Sequence, residues 1–68
     1  MKHISDYHVI VTGGTRGIGR GISEAFLDEG ATVISTYVGN DSAAKEFEKD
    51  NERFKNKLFI GYEEKRTK

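Results

Sequence analysis

The chain has 68 residues, with eleven basic and eleven acidic side chains, a formal net charge of zero, and no cysteine, proline or tryptophan. That length allows at most one domain, and the lack of cysteine excludes disulfides and thiolate zinc sites and fits a reducing, cytoplasmic compartment. Charge neutrality disfavours nucleic acid as a partner, since Lys and Arg supply most of the affinity for phosphates, and no apolar run approaches the ~20 residues of a membrane helix.

Two histidines, His3 and His8, are too few to hold a metal unaided and read as surface or strand-edge residues. Residues 1–6 carry no apolar core of the kind a signal peptide needs. The zero net charge averages two unlike parts. Residues 1–52 hold five basic and nine acidic side chains, whereas residues 53–68 hold six and two.

Tyr7-His8-Val9-Ile10-Val11-Thr12 is a continuous β-branched run, which suits a strand buried on both faces of a parallel sheet. Ile18, Ile22, Ala25 and Phe26 then fall on one face of a helix, and Gly30 is its stop. Residues 31–38 read as a second strand and 39–42 as a turn, with Asp41 the expected N-cap. A charged helix is predicted from about Ser42 to Phe54, its apolar stripe of Ala44, Phe47 and Phe54 interrupted by Asn51. Lys57 to Tyr62 reads as a third strand, and residues 63–68 as a polar tail that frays. The order β-α-β-α-β predicts a partial dinucleotide-binding (Rossmann) domain over residues 1–62. In fold class it is an α/β half of a doubly wound fold, with three parallel strands in the order 3-2-1.

The informative stretch is Thr12-Gly13-Gly14-Thr15-Arg16-Gly17-Ile18-Gly19, between the first strand and the first helix. Gly13 can leave the strand with positive φ. Gly17 and Gly19 let a pyrophosphate approach the backbone and let the helix pack closely on the sheet. The free N–H groups of the helix start then face the phosphates. A Walker loop would need Lys and Ser or Thr where Arg20 and Gly21 stand.

The spacing Thr-Gly-x-x-x-Gly-x-Gly resembles the cofactor signature of the short-chain dehydrogenase/reductase family. Val11 to Arg20 is especially similar to the 3-oxoacyl-(acyl-carrier-protein) reductase branch, as is Thr36-Tyr37-Val38-Gly39-Asn40 after the second strand. The resemblance implies an oxidoreductase that binds NAD or NADP through Thr12, Gly13, Thr15, Arg16, Gly17, Ile18, Gly19 and Tyr37. NAD-preferring enzymes place an acid at the end of the second strand. Tyr37 stands there instead, and Arg16 is placed to meet a 2′-phosphate, so NADP is expected over NAD. Asp41 is the rival signal for NAD, outweighed by its reading as a helix cap. Arg20 is read as solvated, and Ser35 and Thr36 as strand filler.

The resemblance also implies a Ser–Tyr–Lys catalytic set, with tyrosine and lysine four residues apart. Tyr7, Tyr37 and Tyr62 are followed at that spacing by Val11, Asp41 and Arg66, so no residue here is assigned a catalytic role. Relatives carry an aspartate just after the third strand that touches the adenine. Here the strand leads into Gly61-Tyr62-Glu63-Glu64-Lys65, where the resemblance ends. The expectation is a truncated reductase segment with weak or vestigial cofactor binding, unable to complete hydride transfer alone. Its first strand would be a bare sheet edge, which predicts a homo-oligomer. A competing reading keeps the βαβ scaffold as a self-associating interaction module without cofactor function.

Overall fold

The computed structural model describes residues 6–63. The expectations for His3 and for residues 64–68 lie outside them. Strand β1 (His8–Thr12), helix α1 (Gly17–Asp28), strand β2 (Thr32–Tyr37), helix α2 (Asp41–Asp50), a 3-10 turn (Glu52–Phe54) and strand β3 (Leu58–Tyr62) follow in order. Both strand pairs are parallel and the sheet order is β1-β2-β3, which is the predicted half of a doubly wound fold. No helix among the described residues is long and apolar enough to cross a membrane.

Register decides which side chains meet. Val9 pairs with Val33 and Val33 with Leu58, so these residues and Val11 share one sheet face. Leu27 from α1 and Phe47 from α2 join Val11, Val33 and Leu58 in a single core cluster, so both helices cover that face. On the other face Ile10, Ile34 and Phe59 lie in register across the three strands. Ile10 is 66% exposed and Phe59 53%. The expectation that the first strand is buried on both faces is therefore corrected. Within residues 6–63 one face is packed and the other is open.

Helix α1 also seats differently from the periodicity argument. The residues it buries are Ser23 and Leu27, while Ile18 is 85% and Ile22 44% exposed. Apolar residues run around much of this helix, so periodicity alone cannot choose its face. The choice falls to close contacts of the glycine loop, described below. Its end conforms to expectation: Ala31 N–H donates to Phe26 O at 3.0 Å and Gly30 N–H to Leu27 O at 2.9 Å, a Schellman arrangement.

Helix α2 is capped by Asn40, whose side chain accepts from Ala43 N–H at 3.0 Å. Asp41 is the first helical residue and not the cap. The helix ends at Asp50, because Asn51 leaves helical geometry and the chain tightens into the 3-10 turn. Asn51 is buried at that end and ties the two helices together. Its Nδ2 donates to Phe47 O at 3.0 Å and to Glu24 Oε2 at 2.9 Å.

Arg20 completes this tie. Its Nε donates to Glu24 Oε2 at 2.9 Å and its Nη2 to Asp50 Oδ2 at 2.8 Å, and its guanidinium lies 5.5 Å from the Phe47 ring centre. Arg20 is thus a bridge between α1 and α2, not the solvated side chain expected. The bridge has a simple cause: the short connections place α1 and α2 side by side, and an arginine fork spans two carboxylates.

Candidate functional site

The loop from Gly13 to Gly17 leaves the C-terminal end of β1, where open α/β sheets bind ligands. Gly13 and Gly17 have φ of 65° and 60°, and a side chain added at either would meet nothing within 4 Å. The backbone there is open to an approaching group, and its left-handed turns favour glycine.

Gly14 and Gly19 have the opposite role. Gly14 N–H donates to Thr36 O at 3.1 Å, which stitches the loop to the end of β2. A Cβ at Gly14 would lie 2.7 Å from Ser23 Oγ and 2.8 Å from Val11 O, and one at Gly19 would collide with the Gly13 carbonyl. The helix therefore presses directly on the loop. Ser23 Oγ donates to Gly14 O at 3.1 Å and lies 2.8 Å from Ser35 Oγ, all of it buried. Ser35, expected as filler, is half of this polar pin. These contacts set the rotation of α1 and override its apolar periodicity.

The first turn of α1 has no side-chain cap. The N–H groups of Gly17, Ile18 and Gly19 thus begin a helix whose dipole favours an anion there. Beside them a cleft of about 200 Å³ is lined by Gly13, Thr15, Arg16, Tyr37, Val38, Asn40 and Glu63. Four of the eight sequence-predicted residues, Gly13, Thr15, Arg16 and Tyr37, come together in it. Thr15 is buried and Arg16 exposed. Thr12, Gly17, Ile18 and Gly19 lie outside the cleft lining, and Ile18 offers its backbone while its side chain points to solvent. A hollow of about 350 Å³ between α2 and β3 is larger, but it is lined mainly by surface Lys and Glu side chains and has no glycine loop.

Val38, Asn40 and Glu63 are members that sequence reasoning did not assign. Glu63 was placed in the fraying tail. Instead its N–H donates to Tyr37 O at 2.7 Å and its carboxylate accepts from Thr36 Oγ1. An acid therefore lies at the cleft just after the third strand. The available signal was its position one residue past the last apolar residue of β3.

Tyr37 is held on two sides. Its ring meets Tyr62 edge-on, with centroids 5.3 Å apart. The Asp41 carboxylate beside its hydroxyl, with some desolvation, pushes the phenol pKa up. Arg16 is in no ion pair among the described residues. No group of three metal-ligating side chains occurs among them either.

These features fit a phosphate-bearing dinucleotide: uncapped N–H groups, a backbone with open space at Gly13 and Gly17, and an unpaired cation at the cleft. In doubly wound α/β folds a glycine loop at a helix start is where nucleotide phosphates are received. The model of the short chain dehydrogenase family matches residues 7–63, and the chain belongs to that family.

An acetoacetyl-CoA reductase of Paracoccus denitrificans is 55% identical over 38 residues, 56% of this chain and 16% of that protein. An L-rhamnose 1-dehydrogenase (NADP(+)) of Thermoplasma acidophilum is 41% identical over 46 residues, 68% of this chain and 18% of that protein. The chain therefore spans less than a fifth of the length of these relatives. A solved structure assigned as a 3-oxoacyl-reductase of Bacillus thuringiensis superposes with a TM-score of 0.80. It covers 84% of this chain and 24% of its own, and at 24% identity it shows the shared fold.

Proposed function

We propose that this chain binds the adenosine and pyrophosphate portion of NADP(H), as the nucleotide-binding segment of a reductase acting on 3-oxoacyl thioesters. The observation that carries the reading is Arg16, an unpaired cation at the rim of the cleft formed by the glycine loop, Tyr37 and Glu63. Two acids lie nearby, Asp41 beside the Tyr37 hydroxyl and Glu63, which accepts from Thr36 Oγ1. Arg16 is the cation of the cleft lining and the side chain available to a 2′-phosphate. The relative named as an NADP(+)-linked L-rhamnose 1-dehydrogenase supports the same choice.

Each residue has a physical task in this reading. The N–H groups of Gly17, Ile18 and Gly19 receive the pyrophosphate. Thr12 leads into the loop that aims them and Thr15 lies buried within it. Gly13 leaves the backbone open to the ligand. Arg16 forms a charge-assisted bond to the 2′-phosphate. Tyr37 walls the adenosine side, and the Glu63 carboxylate is an acceptor for the adenine amino group. When bound, the cofactor supplies the hydride. The sequence has no Tyr-x-x-x-Lys to supply the proton, so these 68 residues serve binding and not proton transfer.

Titration calorimetry tests this. NADPH should bind the full chain with a Kd in the high-micromolar to millimolar range, and NADH about 10-fold more weakly or worse, given the usual strength of a hydrogen bond to a charged group. Arg16→Ala should remove the difference. Absence of heat with NADPH at millimolar concentration, on a chain shown to be folded by circular dichroism, overturns the proposal.

A further inference from the structure

The surface to explain runs between α2 and the outer edge of β3. Val33 N–H donates to Lys57 O and Glu63 N–H to Tyr37 O, both at 2.7 Å. Backbone groups alternate along a strand, so Lys57, Phe59, Gly61 and Glu63 bond towards β2. The N–H and C=O groups of Leu58, Ile60 and Tyr62 then point outward, away from the sheet. In the doubly wound order further strands are added beside the first strand and the third stays outermost, so this edge belongs to the fold itself. Beside it lies the hollow of about 350 Å³. Ala44 and Phe47 of α2 are buried, and Asp50 is turned to Arg20 of α1. At 100° per residue, Lys45, Glu48 and Lys49 fall on the flank turned from α1. With Glu52 and Lys55 they wall the hollow, and the buried Leu58 and Asn51 form its inner side.

We propose that this groove takes an extended acidic segment of another protein, which adds to β3 as a further strand. Three features select that occupant. The outward groups of Leu58 and Ile60 offer main-chain hydrogen bonds, the means by which sheet edges hold extended peptides. The hollow beside them has room for one apolar side chain, against Leu58 and the aliphatic stems of the lysines. Lys45, Lys49 and Lys55 are in no ion pair among the described residues, so their ammonium groups can meet carboxylates of the segment. Glu48 and Glu52 share the lining, but the lysines outnumber them, and Lys57 at the head of β3 adds to the positive charge. Lysines beside a strand edge discourage pairing with an identical edge. An acidic strand meets attraction there instead.

Few groups take part, which sets the strength. Strand β3 has five residues, and only alternate ones face outward. A Kd on the order of 100 µM is expected. The hollow shares no lining residue with the glycine-loop cleft, so peptide binding and cofactor binding can fail separately.

Amide NMR of the full chain reads this, titrated with the end-blocked peptide Glu-Thr-Leu-Thr-Glu. Alternate residues of a strand share a face, so this peptide offers its Leu to the hollow and both Glu to the lysines. Shifts should concentrate at the Leu58 and Ile60 amides. N-methylation of one alternate set of peptide residues should abolish binding, and of the other set should leave it, because only one set bonds to β3. Replacing Lys45 and Lys49 together by Ala, both at exposed positions, should weaken binding about 5-fold. The peptide Lys-Thr-Leu-Thr-Lys should bind about 10-fold more weakly or worse. No shift at millimolar peptide overturns the proposal, as does equal binding of the lysine peptide. Binding that ignores both sets of N-methyl groups also overturns it, since charge alone would then hold the peptide. So does self-association of the chain that shifts the same amides without peptide, because a second copy would then occupy the edge.

Discussion

Ser23 Oγ on α1 lies 2.8 Å from Ser35 Oγ on β2, with both side chains fully buried. Since Ser23 donates to the Gly14 carbonyl, Ser35 must donate to Ser23. Strand, helix and glycine loop are thereby joined through two hydroxyl groups, and the loop that faces the cleft is fixed from behind. Ser35→Ala should cost about 1 kcal/mol, the usual net worth of a hydrogen bond. Ser23→Ala should cost about 1–3 kcal/mol, because it leaves the Ser35 hydroxyl and the Gly14 carbonyl without their partner. The double variant should lose less than the sum, as coupled partners do. Urea denaturation followed by circular dichroism measures all three.

Two glycines of α1 should respond with opposite sign. Gly19→Ala drives a methyl group into the Gly13 carbonyl, a backbone atom that can retreat only if the loop moves. A destabilisation of about 1–3 kcal/mol is expected, together with loss of NADPH heat. Gly21→Ala, in the same helix, meets nothing within 4 Å. It should stabilise by about 0.5–1 kcal/mol through helix propensity, with cofactor binding intact. Equal effects at the two positions would contradict the close approach of helix and loop.

The acid limb of stability should carry the mark of Glu24. The bond from Asn51 is the main influence that lowers its pKa, with Arg20 adding to it against desolvation. A carboxylate with a depressed folded-state pKa stabilises the fold above its unfolded value, and that contribution is lost as pH falls through the folded value. Stability should therefore decline below the ordinary carboxylate range. Glu24→Gln should flatten that decline while lowering stability at neutral pH. Thermal melts across pH 3–7 test both signs. An unchanged slope in the variant would assign the acid limb to other groups.

Much of the architecture was legible in the residues. The β-branched run before Gly13, the glycine spacing and the stop at Gly30 reflect local constraints on φ, chain direction and hydrogen bonding, so sequence reports them directly. The helix faces and caps were less legible. Ile18 and Ile22 look like core residues by spacing, yet Ser23 and Leu27 take the sheet side. The cap moved one residue, from Asp41 to Asn40, because either side chain can accept the bond and only the path of the turn selects one. Asn51 looked like an interruption in an apolar stripe, and its buried amide can be valued only once Glu24 is known to lie beside it.

The sequence by itself determined the order of elements, the parallel half-fold and the place of the glycine loop, because each depends on residues close in the chain. Only the tertiary structure decided what meets across the chain. It brought Glu63 to Thr36 and Tyr37, set Arg20 between α1 and α2, left Arg16 unpaired at the cleft, and exposed Ile10 and Phe59 on the open sheet face. Those outcomes depend on register and on the seating of helices against the sheet. Strand pairing and close packing fix these in space, and no periodicity along the chain encodes them.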